Sequence, residues 1–158
     1  MPSTAKDHLD ARLRQISLFL PNRLGALRRA IDVLECGDVR IAGISVLEAA
    51  DHAVVRLVVD RPEAALKSLA DAGYGASPTD ILGVSLPAGP RFGMQRVLSV
   101  LLSAEVSIMY VYGLILWDQG RPILALRTDD LDLAARVLGK SGFRILDQED
   151  LAWPAAPE

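Results

Sequence analysis

The chain has one cysteine, Cys36, two histidines, His8 and His52, and aromatic residues at only 5% of its 158 positions. A lone cysteine makes no internal disulfide and offers no metal framework. Cys36, between an apolar helical stretch and a Gly-Asp turn, reads as a small helix-end residue in a reducing compartment. His8 lies in a polar tail and His52 in a turn, and no Ser-His-Asp order, metal-ligand spacing or Gly-rich phosphate loop accompanies them. The chain therefore reads as a non-enzyme, with no catalytic residue, metal or cofactor. Blocks of like charge are also missing, and the net charge is −3, so there is no electrostatic footprint for nucleic acid. The polar start, 1–11, lacks the apolar centre of a signal peptide and reads as a flexible tail, as does the Pro- and Ala-rich end, 153–158. A long charge-free run is nearly present: Val97 to Trp117 holds only Glu105, and on length alone resembles a membrane span. Its apolar period changes from about 3.6 to about 2, which means a buried helix followed by a buried strand.

What the chain does have is an internal repeat. Leu27, Ala30, Ile31, Leu34, Val39 and Ile41 return 67 positions on as Met94, Val97, Leu98, Leu101, Val106 and Ile108. Asp60, Leu69, Gly73 and Tyr74 return 69 positions on as Asp129, Leu138, Gly142 and Phe143. A repeat sets the architecture before any single residue is interpreted. It also removes the membrane span, because the matching stretch of copy one carries Asp32, Glu35, Asp38 and Arg40, which no bilayer helix would hold together. Domains are expected over 12–81 and 82–152. Each is near the lower size limit for burying its own core, so the units are expected to pack together or with a second chain. With 51% apolar residues and few aromatics, that core is aliphatic.

Each copy reads strand, helix, strand, strand, helix, strand. First strands alternate through Ile16, Leu18 and Leu20, and through Leu82, Val84 and Leu86. Loops at 21–25 and 87–93 lead into amphipathic helices. Gly37 is expected to end the first of these in the left-handed conformation. Second strands follow from about Val39 and Val106, then turns at 49–52 and 118–122, the second expected to take up the two residues by which the repeat offset steps from 67 to 69. Third strands end at Asp60 and Asp129, ahead of helices stopped by Gly73 and Gly142. Short last strands are expected near Ala76–Ser77 and Arg144–Leu146. The fold class is α+β: two tandem ferredoxin-like βαββαβ units, antiparallel sheets with helices on one face.

At several points the residues resemble the ACT domain, a small-molecule-sensing module of amino-acid metabolism. Asn22-Arg23-Leu24-Gly25-Ala26-Leu27 is similar to the family's Asn-x-Pro-Gly-x-Leu loop, with Leu24 in place of proline. Asp38-Val39-Arg40-Ile41 resembles the Gly-Ile-Asn-Ile that opens the family's second strand. Arg40 and, in copy two, Ser107 stand where relatives have an asparagine that helps hold ligands. The stretch from Val59 to Leu66 matches the start of the family's second helix, and Pro90 to Met94 with Glu105 to Ile108 repeats the pattern more loosely. The resemblance covers roughly Leu13 to Leu151. It implies a stand-alone, non-catalytic regulator that binds a free amino acid or similar small carboxylate at the interface between ACT units. It also implies a homodimer that signals to an enzyme or regulator, with a cytoplasmic location and no contact with membrane or nucleic acid. The alternative is an interaction scaffold that has lost the ligand, which Leu24, Arg40 and Ser107 favour.

The loops have a chemistry of their own. Each delivers the chain to a helix N-terminus, where unpartnered N–H groups and the helix dipole suit a carboxylate. Gly25, and in copy two Gly89 and Gly93, let a ligand approach the backbone, and Asn22 offers an acceptor for an ammonium group. Asn22 and Gly25 fit a simple tight turn as well. Ala26 and Phe92 are further ligand-binding candidates, and Arg23 and Arg91, which flank the loops, suit an acidic ligand or plain solvation. Tyr110 and Tyr112, two apart on a strand, share a face and read equally as a pocket wall or as cover for the sheet.

Overall fold

The computed structural model describes residues 10–87 and 93–152. The chain divides into two compact units, Arg14–Asp80 and Ile81–Asp150, with 10–13 grouped with the second and Leu151 with the first. The first unit runs β1 (Leu13–Pro21), α1 (Ala26–Cys36), β2 (Ile41–Ala49), β3 (His52–Val59) and α2 (Pro62–Asp71), and ends in the first half of β4 (Ala76–Ser85). The second continues with α3 (Gly93–Ser103), β5 (Ile108–Asp118), β6 (Arg121–Thr128), α4 (Leu131–Lys140) and β7 (Arg144–Leu146). Strand order is β2-β3-β1-β4 in the first unit; in the second it is β5-β6-β4, with β7 on the far side of β4. Both units thus have the predicted α+β arrangement, with β2 and β5 as edge strands.

The same period that predicts the elements fills the cores. Leu18, Ala30, Leu34, Val39, Leu57, Ala65 and Leu69 are buried together in the first unit. Val84, Val97, Leu101, Val106, Leu126, Ala134 and Leu138 repeat them in the second. Burying a side chain of this size is worth about 1.5–3 kcal/mol, so the aliphatic positions are what the duplication preserves. No helix among the described residues is long and apolar enough to cross a membrane.

Three details differ from the sequence reading. The last strand of copy one and the first of copy two are one continuous strand, β4. Pro78 is accommodated because β6 and β7 pair only with Leu82–Ser85. That leaves one side of β4 at Pro78 without a strand partner among the described residues, where a missing N–H is tolerated. Helix α1 is closed not by Gly37, at φ −82°, but by Asp38, at φ +57°, and Val39 N–H donates to Leu34 O at 3.0 Å. Helix α3 ends the same way through Glu105 at φ +57° and Val106 N–H on Leu101 O. Aspartate tolerates this conformation better than most residues, whereas Glu105 has no such ease, and a buried valine follows in each case. Gly73 and Gly142, at φ +84° and +88°, do close α2 and α4 as expected.

The third difference concerns the two inserted residues of copy two. Both hairpin turns are equally short, Ala49 facing His52 and Asp118 facing Arg121. The insertion lies inside β5, as an irregularity between Gly113 and Trp117. The turn itself is Gln119-Gly120, both at positive φ, a two-residue type that fits strand twist and leaves no room for extra residues. A strand edge absorbs them as a bulge instead.

Candidate functional site

Loop 22–25 of the first unit is held from both sides. Asn22 N–H donates to Asp51 O at 3.1 Å, and its Nδ2 donates to Glu48 Oε1 at 2.9 Å, tying the loop to the β2–β3 hairpin. Arg23 N–H turns back to Pro21 O at 2.8 Å, and Ala26 N–H to Arg23 O at 3.1 Å. Gly25 occupies the position before α1 at φ +79°, ψ −1°, a left-handed conformation that makes glycine the fitting residue. Its carbonyl accepts from Arg29 N–H at 3.1 Å, the first helical bond. Leu24 is fully exposed, so it points away from any core.

This helix start is electrostatically open. No side chain caps α1, and its first turn has no acidic residue. Arg29, one turn in, lays its guanidinium over Gly25, with Nη1 3.1 Å from where a Cβ on that glycine would sit. The helix N-terminus and a guanidinium thus converge on one exposed patch, where a carboxylate would accept charge-assisted hydrogen bonds. Sequence reasoning missed Arg29. Its spacing of four from Gly25 was the available signal, since helical residues lie over the turn that precedes them.

Arg40 and Ser107 lie elsewhere in their units, just beyond the C-terminal ends of α1 and α3 and about 16 Å along an 11-residue helix from its start. Their role visible in the fold is a backbone clamp. Arg40 N–H donates to Asp60 Oδ1 at 2.8 Å and its carbonyl accepts from Asp60 N–H at 3.1 Å. Ser107 makes the same pair of bonds with Asp129, at 2.9 and 3.1 Å. The recurrence of Asp60 as Asp129 in the repeat is explained by this clamp.

In the second unit Gly93 begins α3, and a Cβ there would meet Pro87 at an ordinary 3.4 Å. Gly89, Arg91 and Phe92 lie outside the described residues. Tyr110 and Tyr112 share a face as predicted, with ring centroids 6.5 Å apart and planes inclined by 23°. Their partners on β6, Arg127 and Ala125, alternate with the core residue Leu126, so the tyrosines stand on the sheet face turned away from α3 and α4. One end of this sheet is closed by Arg144, which pairs with Asp118 and with Asp150, the latter at 2.8 Å. Asp118 Oδ2 is buried without a partner. Among the described residues, no group of His, Cys, Asp or Glu is placed to hold a metal ion.

Two split βαβ units in tandem define the fold class of the chain. The chain belongs to the ACT domain pair family, which it matches over residues 11–153. It is similar to a protein of Bacteroides thetaiotaomicron of known structure, at 28% identity over 89% of this chain and 95% of that one, with a TM-score of 0.81. Its fold is also that of the regulatory subunit of aspartate kinase from Thermus thermophilus in a ligand-free form (18% identity, 84% and 95% covered, TM-score 0.61). The corresponding subunit from Thermus flavus is similar at 17% identity, with 84% and 94% covered and a TM-score of 0.56. A search of curated proteins returns no match.

Proposed function

We propose that the chain is a non-catalytic regulatory protein that binds a free amino acid, or a similar small carboxylate, at the Asn22–Ala26 loop. The observation that carries this reading is the uncapped start of α1, with Gly25 left-handed and Arg29 above it. The carboxylate would be held by the helix N-terminus and Arg29, and the ammonium by Asn22 Oδ1 and nearby carbonyls. Membership of the ACT domain pair family, and the aspartate kinase regulatory subunits that share the fold, support a regulatory role. The signal would leave through self-association as a homodimer or through a partner enzyme or regulator. A cytoplasmic location belongs to the same reading.

Coupling of ligand to assembly or partner is expected at about 1–3 kcal/mol, enough for a measurable shift in melting temperature. A thermal-shift screen against all twenty amino acids tests the ligand. At least one should raise the melting temperature, and no response to any of them would refute binding. Substituting Gly25 by valine separates this reading from a pure scaffold: a sensor loses its response and keeps its fold.

A further inference from the structure

Three polar residues of the second unit stand together where the first unit has none. Ser85 pairs with Arg144 on one side and with Ile123 on the other, and cross-strand partners share a face. Arg121, two residues before Ile123, pairs with Asp118, so Ser85, Arg144 and Asp118 belong to one face. It is the face turned away from the helices, because Val84, next to Ser85, is in the helix-side core. In the first unit Phe19 pairs with Val54 as Ser85 does with Ile123, and Ala49 pairs with His52 as Asp118 does with Arg121. Gly75, whose carbonyl accepts from Phe19 N–H at 3.3 Å, precedes Arg144 by the repeat offset of 69. Phenylalanine, alanine and glycine thus build the same corner of the sheet, and the fold has no need of serine, aspartate and arginine there.

Two atoms of this group are buried without a partner: Asp118 Oδ2, on a side chain 9% exposed, and Ser85 Oγ, on a residue 3% exposed. Leaving buried polar atoms unpaired destabilises a fold, and native interiors rarely do so.

The neighbouring bonds determine what could satisfy them. Arg144 Nη1 donates to Asp118 Oδ1 and Nη2 to Asp150 Oδ1, while Asp150 Oδ2 accepts from Asp147 N–H at 2.8 Å. What remains is a carboxylate oxygen, which only accepts, and a hydroxyl, which does either. An acidic ligand has nothing to offer Asp118; the occupant must donate hydrogen bonds. One guanidinium between two carboxylates also leaves a negative charge over, and Arg121 forms no ion pair with either of them among the described residues. A cationic donor is therefore favoured, through a charge-assisted bond. Both atoms are closed off from solvent, so the occupant is small, and it enters past the guanidinium of Arg144, 37% exposed.

We propose that Asp118, Ser85 and Arg144 form a second binding site, for a small primary ammonium ion, with Arg144 as its movable cover. The N–H groups of the ammonium bond to Asp118 Oδ2 and Ser85 Oγ. The site is in the other unit from the Asn22–Ala26 loop, has the opposite charge preference, and does not depend on that loop binding anything.

Thermal melts of the full chain in methylammonium chloride at about 50 mM test it, against tetramethylammonium chloride at the same ionic strength, since the second ion has the charge and no N–H donor. The wild type should melt about 2 °C higher in methylammonium, as expected for a ligand of the native state alone. Ser85→Ala and Asp118→Asn should each abolish the difference, and Gly25→Val, which disables the loop, should keep it. Equal melting of the wild type in the two salts overturns the proposal, as does a difference that persists in Ser85→Ala. If Asp118→Asn does not fold, Ser85→Ala, which loses only the hydroxyl, decides alone. Arg144→Ala separates a second occupant from mere replacement of the guanidinium. Stabilisation by methylammonium in both wild type and Arg144→Ala supports the site; stabilisation of Arg144→Ala alone means that the carboxylates take no cation besides Arg144, and overturns it.

Discussion

The first unit has Glu35 and Glu48 on its outer flank, and the second has Leu102 and Trp117 at the matching positions. Glu48 near the end of β2 holds Asn22 of the 22–25 loop, whereas the residue in its register position on β5 is Trp117, 62% exposed. Glu35 on α1 is replaced by Leu102 on α3. Beneath this divergence the interiors barely differ: the same positions are buried, and the same backbone clamp joins Arg40 to Asp60 and Ser107 to Asp129. Duplication preserved what each fold needs, while the flanks diverged.

The comparison can be broken most decisively in the cores. Leu69 and Leu138 are both fully buried, so Leu69→Ala and Leu138→Ala should each destabilise their unit by about 2–5 kcal/mol in chemical denaturation. Costs that differ by several kcal/mol would show that the interiors are not equivalent. Next in size is a feature of the second unit alone. Arg144→Ala leaves the Asp118 carboxylate, 9% exposed, without its partner. Because Arg144 is itself 37% exposed, the expected loss is about 2–3 kcal/mol, below that for a fully buried pair.

The two helix starts sharpen the contrast at smaller scale. Gly25→Val forces a β-branched residue into the left-handed region and should cost about 1–2 kcal/mol, seen as a lower melting temperature, together with loss of the ligand response. Gly93→Val meets only an ordinary contact and has no such strain, so its cost should stay within about 0.5 kcal/mol. The cap of α4 gives a further contrast on this scale. Asp130 accepts from Leu133 N–H at 2.9 Å, whereas α2 starts at Arg61 with no side-chain cap. Asp130→Ala should cost about 1 kcal/mol, measurable in the same denaturation series.

Much of this architecture was readable from residue periodicity, because spacing alone distinguishes the faces of helices and strands. Ala30, Leu34 and Val39 against Val97, Leu101 and Val106 led directly to the two cores. The misreadings came where local chemistry has more than one solution. The last strand of copy one reads as short, near Ala76–Ser77, but it runs through Pro78 into the first strand of copy two as β4. Gly37 looks like the left-handed stop, but Asp38 takes that role, held by the Val39 bond to Leu34. The two extra residues of copy two looked like a longer turn, since a bulge in β5 leaves no mark in sequence spacing. At the candidate site, Asn22 and Gly25 were legible from their loop, and Arg29 was not, because its relevance comes from the turn of α1 that carries it back over Gly25.

The division between the units is tested most directly by calorimetric titration with whichever amino acid the thermal screen identifies. The expected result is one ligand per chain, lost in Gly25→Val and retained in Gly93→Val. Two equivalent ligands per chain, or binding that survives Gly25→Val and disappears with Gly93→Val, would contradict it.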